Sequence, residues 1–249
     1  CYIVRTDLVT WYYDRSGGGF CRLVDRDGQD WIAFRKNPLN EFPESAAAGY
    51  RGLPNLVFTG PDKGAGHPGF DRCTTSITNE NSIRTTSISG QWSWTWSFTG
   101  ASANFEMERA PGSGAWWFLY EGPIAGTFTP GNKYWGTDKG GPRIDVPDLN
   151  SQLYDTWKWV YFGDRAVPRV LVIDQHSSDQ LPDTLWYLGN SQEGSVESPD
   201  GMVVFGFGRG PGTSPMLRGD GQRFTVRLLE MKITNDDDHT RLADLIDGR

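Results

Sequence analysis

The sequence predicts an all-β fold in which two large antiparallel sheets pack as a jelly-roll-like β-sandwich. Three observations support this prediction. About a dozen short segments are rich in aromatic and β-branched residues, they are interrupted by many of the 31 Gly and 15 Pro, and helical periodicity is almost absent. Between residues 91 and 98, Trp alternates with Ser and Thr, which places the aromatic rings on one face of a strand. We therefore expect strands to hold well over half of the ordered residues.

The strands follow one another with turns of Gly, Asp and Pro between them. They are predicted, in order, at 2–13, 18–25, 30–36, 91–98, 103–108, 115–122, 157–163, 169–176, 184–188, 202–208 and 223–231. Residues 37–81 form a long irregular region, and 130–142 a glycine-rich loop; loops of this length are often functional. Residues 235–249 predict a short C-terminal helix or a tail, and residues 1–249 a single domain.

Charge and cysteine content exclude several classes of protein. The net charge is −7, without a cluster of basic residues, so nucleic-acid binding is disfavoured. No apolar run approaches the roughly 20 residues that span a bilayer.

Cys1, Cys21 and Cys73 allow at most one internal disulfide, and their spacing matches no zinc site. We expect no metal and no cofactor. A removed export signal, or a lipid on Cys1, would fit a start at that residue.

Several motifs resemble those of galactose-mutarotase-like supersandwich proteins. They are Trp11–Asp14, Gly17–Phe20, Leu23–Gly28, Tyr50–Asn55, His67–Gly69, Trp117–Gly122, Trp159–Asp164 and Phe205–Arg209. Over most of residues 2–231 the chain resembles secreted bacterial proteins associated with polysaccharide breakdown. The resemblance implies a polysaccharide or oligosaccharide substrate and a secreted or periplasmic location. It leaves the reaction open, because this superfamily includes epimerases, hydrolases and lyases.

Glu121 is the strongest candidate for a catalytic group. It closes the segment 115–122, which is apolar on both faces. Burial there would raise the pKa of the carboxyl group and suit it to act as a general acid. The alternative is a structural carboxylate held by backbone amides or by an arginine.

Two of the three histidines are candidates for proton transfer. His67 lies between Gly66 and Pro68 in a loop, where it has no evident packing role. His176 ends an apolar strand, on the same face as Asp174, and a core role is equally compatible with that position. His239 lies in the acidic C-terminal segment and is predicted to be solvated.

Three arginines are candidates for binding a substrate carboxylate through a bidentate fork. Arg209 follows a strand and is expected on the same face as Phe205 and Phe207. Arg51 precedes a Gly-Leu-Pro turn, and Arg143 follows a Gly-Gly-Pro turn. For each of them an ion pair within the protein is the alternative.

The loop at 132–139 has the composition of a sugar-binding surface. Tyr134 and Trp135 are expected to stack on a sugar ring, Tyr134 is also a candidate for proton transfer, and Asp138 and Lys139 are expected to contact substrate. The alternative is a loop that buries its own aromatic residues. We also expect at least one of Glu121, His67 and His176 to share a surface with this loop. The Trp92, Trp94 and Trp96 stripe, in contrast, is predicted to be core.

Four functions remain open at this point. The first is a polysaccharide lyase that cleaves a uronic-acid-containing glycan by β-elimination. Another is a glycoside hydrolase, with Glu121 paired to a second carboxylate such as Asp138 or Asp174. The third is a non-catalytic carbohydrate-binding domain, and an epimerase is a weaker fourth possibility.

Overall fold

The computed structural model describes residues 1–36, 48–149, 151–190 and 193–248. Its strands are β1 (Tyr2–Arg5), β2 (Val9–Asp14), β3 (Gly19–Asp25), β4 (Cys73–Asn79), β5 (Ser82–Ser87), β6 (Ser93–Thr99), β7 (Ser102–Arg109), β8 (Ala115–Trp116), β9 (Phe118–Gly122), β10 (Lys133–Thr137), β11 (Gly140–Arg143), β12 (Leu153–Asp155), β13 (Trp159–Asp164), β14 (Val170–Gln175), β15 (Asp183–Leu188), β16 (Met202–Phe207), β17 (Arg209–Gly210), β18 (Ser214–Pro215), β19 (Leu217–Arg218) and β20 (Arg223–Leu229). One α-helix, α1, covers Asp236–Asp247, and 3₁₀ turns lie at Ala48–Tyr50 and Pro130–Asn132.

The first layer is a nine-stranded antiparallel sheet. Its strand order is β11-β10-β13-β14-β20-β7-β6-β5-β4. The predicted hairpin of β6 and β7 forms, and Trp96 pairs with Phe105 across it. The aromatic stripe faces inward as predicted, with Trp94 and Trp96 fully buried.

The second layer combines two smaller sheets, β1-β2-β3 and β12-β15-β16-β9. Residues 52 and 53 join them, because Leu53 bridges to Phe20 of β3 and Gly52 bridges to Glu121 of β9. Core aromatic residues fill the space between the layers: Phe118 of β9 stacks on Phe224 of β20, with 4.3 Å between ring centroids. The predicted all-β sandwich of two large antiparallel sheets is confirmed.

Helix α1 covers part of the outer face of the nine-stranded sheet. Leu242 packs there with Tyr134, Tyr161 and Val172, away from the main core. The Asn235 side chain caps the helix by accepting the Asp238 amide at 2.9 Å. Of the two alternatives that the sequence left open, a short C-terminal helix or a tail, the structure has the helix.

Strands hold 45% of the residues and helices 7%. The strand content is therefore lower than the predicted value of well over half. The predicted strand 30–36 does not form, because Asp30 Oδ1 accepts the amides of Ile32 and Ala33 and curls the backbone. Ala33 accordingly has φ of 52°. Conversely, β4 lies inside the region predicted to be irregular: it is a Thr- and Ser-rich edge strand whose mostly exposed side chains give no hydrophobic alternation.

The glycine-rich segment 130–142, predicted to be a loop, contains β10 and β11. Its glycines fit close packing instead: a Cβ at Gly136 would lie 2.3 Å from the Tyr161 hydroxyl. All three cysteines are free thiols. Among the residues that the structure describes, no helix is long and apolar enough to cross a membrane.

Candidate active site

The outer face of β9, β16 and β15 carries the side chains that point away from the core. Alternation along β9 turns Phe118 and Tyr120 inward and Leu119 and Glu121 outward. Glu121 pairs with Val204, which pairs in turn with Trp186. Glu121, Val204 and Trp186 therefore form one row across the three strands, with the carboxylate at one end and the indole ring at the other.

Arg209 lies on this outer face, held between two indole rings. Its guanidinium carbon is 4.2 Å from the ring centroid of Trp186 and 5.1 Å from that of Trp117. The side chain is only 8% exposed, and burial lowers the pKa of the guanidinium. Nε and Nη1 have no hydrogen-bond partner among the described residues. Such unsatisfied donors are uncommon in folded proteins, because a buried polar group without a partner costs free energy.

The position of Arg209 corrects the sequence prediction. We expected it on the face of Phe205 and Phe207, but those rings point into the core. Gly208 adopts φ of 62° directly after β16, which breaks the strand alternation and turns Arg209 outward. Gly206 leaves room for it, since a Cβ there would lie 3.0 Å from the Cβ of Arg209.

Glu121 lies beside Arg209 and is 8% exposed. Its Oε1 is 4.0 Å from Arg209 Nη1, and its Oε2 accepts a short hydrogen bond from Asn55 Nδ2. Burial raises the pKa of Glu121 to about 7, and the nearby guanidinium offsets part of that rise. The predicted raised pKa is confirmed, and near neutral pH this group can both release and take up a proton.

His67 supports this site from behind. It is 3% exposed, with Nδ1 at 2.6 Å from the Pro68 carbonyl oxygen and Nε2 at 3.2 Å from that of Tyr50. Asn55 Nδ2 also donates to the Tyr50 carbonyl, at 3.4 Å. Burial lowers the pKa of the imidazole. Because a neutral imidazole carries a single N–H, His67 donates to one of these two carbonyl oxygens, and its ring lies beside the 50–55 segment that presents Asn55 to Glu121.

Tyr134 and Trp135 are each 1% exposed, so the prediction that they stack on a sugar ring is wrong. Trp135 belongs to the main core and Tyr134 to the cluster beneath α1. The Tyr134 hydroxyl accepts the Ile233 amide at 3.2 Å, and burial raises its pKa to about 12. This loop therefore buries its own aromatic residues, the alternative left open by the sequence.

Replacing Tyr134 with Phe should leave turnover unchanged. The substitution should lower the free energy of unfolding by about 1 to 3 kcal/mol, because the buried Ile233 amide loses its acceptor. Chemical denaturation together with an activity assay checks this. A large loss of turnover in a folded Y134F protein would restore Tyr134 as a proton-transfer group.

His176 and Asp174 lie on the α1 side of the nine-stranded sheet, on the same face as Val170 and Val172. The core separates them from Glu121, which faces outward from the other layer. Packed sheets lie about 10 Å apart, whereas paired glycosidase carboxylates lie about 5 to 9.5 Å apart. A hydrolase pair of Glu121 and Asp174 is therefore excluded, and so is a surface shared by Glu121 and His176.

The remaining candidates have local partners. Arg51 is 2% exposed and donates to the carbonyls of Ala33, Pro199 and Gly201. Burial lowers its pKa to about 10. The prediction that Arg51 contacts substrate is wrong, because its guanidinium is buried and donates hydrogen bonds to loop carbonyls inside the protein.

Arg143, Lys139 and Asp138 lie at the β10–β11 hairpin. The guanidinium carbon of Arg143 is 5.0 Å from the ring centroid of Trp135, and Lys139 pairs with Asp155. Asp138 accepts the Lys158 amide at 2.9 Å, and it lies at the turn between two strands of the nine-stranded sheet, whereas Glu121 belongs to the other layer. Of the ten predicted site residues, Arg209 lies beside Glu121 and His67 supports that pair, whereas the other seven lie elsewhere.

Three further residues of this site did not emerge from the sequence. They are Asn55, Trp117 and Trp186. Trp117 shares strand parity with Glu121, so its position was accessible to pattern reasoning. Asn55 and Glu121 are 66 residues apart in the sequence, so no local pattern predicts their hydrogen bond. No cluster of three metal-ligating side chains occurs within the described ranges.

Comparison with known proteins identifies the fold. No family model and no curated protein matches the sequence. A galactose mutarotase-like protein from Lactobacillus casei is 11% identical, with a TM-score of 0.56 over 92% of this chain and 99% of that one. A galactose mutarotase related enzyme from Lactobacillus acidophilus is 8% identical, with a TM-score of 0.58 over 94% and 99%. The chain has the galactose-mutarotase-like fold, as its motifs led us to expect.

Proposed function

We propose that this protein is a carbohydrate-active enzyme that cleaves a uronic-acid-containing polysaccharide by β-elimination. The observation that carries the proposal is the pairing of Glu121 with Arg209 on an outer sheet face, where the guanidinium stacks on two indoles. A guanidinium with unsatisfied donors matches the planar, bidentate geometry of a uronate carboxylate.

The chemistry requires a cation and a proton carrier. Arg209 binds the uronate carboxylate and stabilises the charge that grows on it as the C5 proton leaves. Glu121, as the carboxylate, takes that proton. The electron pair forms the C4–C5 double bond and the C4–O bond breaks. Glu121 then returns the proton to the departing oxygen, so one group with a pKa of about 7 serves both steps.

The aromatic residues and the amide around the pair position it for this chemistry. Trp186 and Trp117 fix the plane of the guanidinium, and Asn55 fixes one oxygen of Glu121. Such groups reduce the reorganisation needed in the transition state. The exposed Tyr154 ring of β12 lies at the margin of the same sheet and offers a surface for a neighbouring sugar.

Interconversion of sugar anomers is a second candidate, because structures with this fold carry mutarotase names. It too requires proton exchange at one sugar, and Glu121 would suit it. The unsatisfied donors of Arg209 favour an acidic substrate and hence the elimination.

A panel of uronic and neutral polysaccharides tests the proposal. We expect a uronate-containing glycan to gain the ultraviolet absorbance of an unsaturated uronate. New reducing ends without that absorbance would contradict elimination and indicate a hydrolase. Glycan that is retained but unchanged would indicate a binding domain, and anomer exchange in NMR spectra of free sugars would favour the second candidate.

A further inference from the structure

The turn between β16 and β17 determines where Arg209 lies, and two consecutive residues of β15 bind the backbone of this turn. Gly208 adopts the left-handed conformation that directs Arg209 outward. Asp183 Oδ1 accepts the Gly208 amide at 2.8 Å. The Thr184 hydroxyl donates a short hydrogen bond to the Arg209 carbonyl oxygen. Side chains of β15 therefore hold both ends of the dipeptide 208–209.

Asp183 is itself fixed on both of its carboxyl oxygens. The side chain is buried, and Oδ2 accepts the Trp157 amide at 2.8 Å. Burial raises the pKa of Asp183 to about 8, and carboxyl groups with shifted pKa values are concentrated at functional sites. Each oxygen keeps a lone pair in both protonation states, so both amides retain an acceptor on either side of that pH.

Thr184 lies on the same outer face of β15 as Trp186, and it is fully buried. It pairs with Gly206, and the missing side chain of that glycine leaves room for Arg209. The hydroxyl carries one proton, which the Arg209 carbonyl oxygen accepts. A valine at this position would keep the shape of the side chain and lose the donor.

Backbone contacts hold the turn from its other side. The Gly208 carbonyl accepts the Met216 amide at 2.9 Å, and Arg209 pairs with Pro215 of β18. Because these contacts do not involve the side chains of β15, they should keep the chain in its course when Thr184 is replaced. The effect of Thr184 on the orientation of Arg209 can therefore be measured in a folded protein.

We propose that Asp183 and Thr184 are positioning residues of the candidate active site. Through the backbone of residues 208 and 209 they hold the guanidinium between its two indole rings, where it meets a substrate carboxylate. The placement of the guanidinium is independent of the reaction, whereas its effect on turnover rests on the proposed function. Misplacing a reacting group by about 1 Å can cost roughly a hundredfold in rate, so a loosened turn should lower kcat.

NMR of the full chain with ¹⁵N-labelled arginine measures this placement without substrate. Ring currents of the two indoles should shift the Arg209 Nε–H signal upfield, and Arg209→Lys identifies the signal by removing it. We expect Thr184→Val and Asp183→Ala to move it back downfield, and Thr184→Ser, which keeps the hydroxyl, to retain the wild-type position. Thr85→Val is the matched control and should leave the signal in place, because Thr85 is also fully buried and hydrogen-bonded but belongs to the nine-stranded sheet.

Turnover of the same variants shows whether the placement matters to the reaction. On the glycan identified by the panel, Thr184→Val should lower kcat by about tenfold or more and change KM by less. Thr184→Ser and Thr85→Val should keep both constants near wild type. If Asp183→Ala does not fold, because two buried amides lose their acceptor, Thr184→Val decides alone.

Three results would overturn the proposal. They are an Arg209 signal that stays in place in Thr184→Val, an equal shift of that signal in Thr85→Val, and wild-type turnover in a Thr184→Val protein whose signal has moved. If the signal moves as expected but the wild-type protein cleaves no glycan, the placement is supported and only the proposed function is contradicted.

Discussion

Replacing Arg209 with alanine is expected to lower kcat by about a hundredfold or more on the natural substrate while the protein stays folded. The guanidinium contacts the carboxylate on which charge grows during proton removal, so its loss weakens the transition state more than the bound substrate. Steady-state kinetics on the glycan identified by the panel measure the effect. Circular dichroism of the variant establishes that the fold is retained.

Two further variants sharpen this experiment. Arg209→Lys keeps the charge but loses the planar fork and its stacking on Trp186, so it should recover only a small part of kcat. Arg143 is the matched control, because it also lies over an indole ring but is exposed at a hairpin. Arg143→Ala should keep near wild-type turnover. If the Arg209→Ala and Arg209→Lys proteins are folded and keep wild-type turnover, the elimination mechanism is contradicted.

Replacing Glu121 with glutamine is expected to lower kcat/KM by about a hundredfold to ten-thousandfold. Because the ionised carboxylate is the base, kcat/KM of the wild-type protein should rise as the pH rises through about 7. The isosteric amide cannot take the proton, and any residual activity of Glu121→Gln should lose this dependence. A pH–rate profile of both proteins is the measurement.

The same substitution should remove a pH dependence of stability. Unfolded Glu121 releases its proton at its usual pKa of 4.5, whereas the folded protein holds that proton up to about 7. Between these pH values the unfolded state binds fewer protons, so the wild-type free energy of unfolding falls as the pH rises. Relative to wild type, Glu121→Gln should gain up to about 3 kcal/mol between pH 4.5 and 8. Parallel denaturation curves for the two proteins would contradict a buried, protonated Glu121.

The sequence predicted those features that depend on local alternation. The inward Trp94 and Trp96 and the desolvated Glu121 follow from the period of two along single strands. The face of Arg209 could not be predicted in this way, because the positive φ of Gly208 interrupts the alternation. Strand β4 was missed because its exposed Thr and Ser side chains carry no hydrophobic period.

The composition of the site was harder to predict than the fold. Tyr134 and Trp135 lie among glycines, and local composition cannot distinguish a flexible loop from a strand whose glycines allow Tyr161 to pack closely. His176 and Glu121 both occupy strand ends, and only the pairing order of the strands places them on opposite outer faces. Long-range pairing also brings Asn55 to Glu121.

A crystal structure of Glu121→Gln soaked with a uronate oligosaccharide tests the central claim most directly. We expect the sugar carboxylate within hydrogen-bond distance of the Arg209 guanidinium, on the outer face of β9, β16 and β15, with C5 of that sugar next to residue 121. A uronate bound only elsewhere on the protein would contradict the assignment of the active site to Glu121 and Arg209.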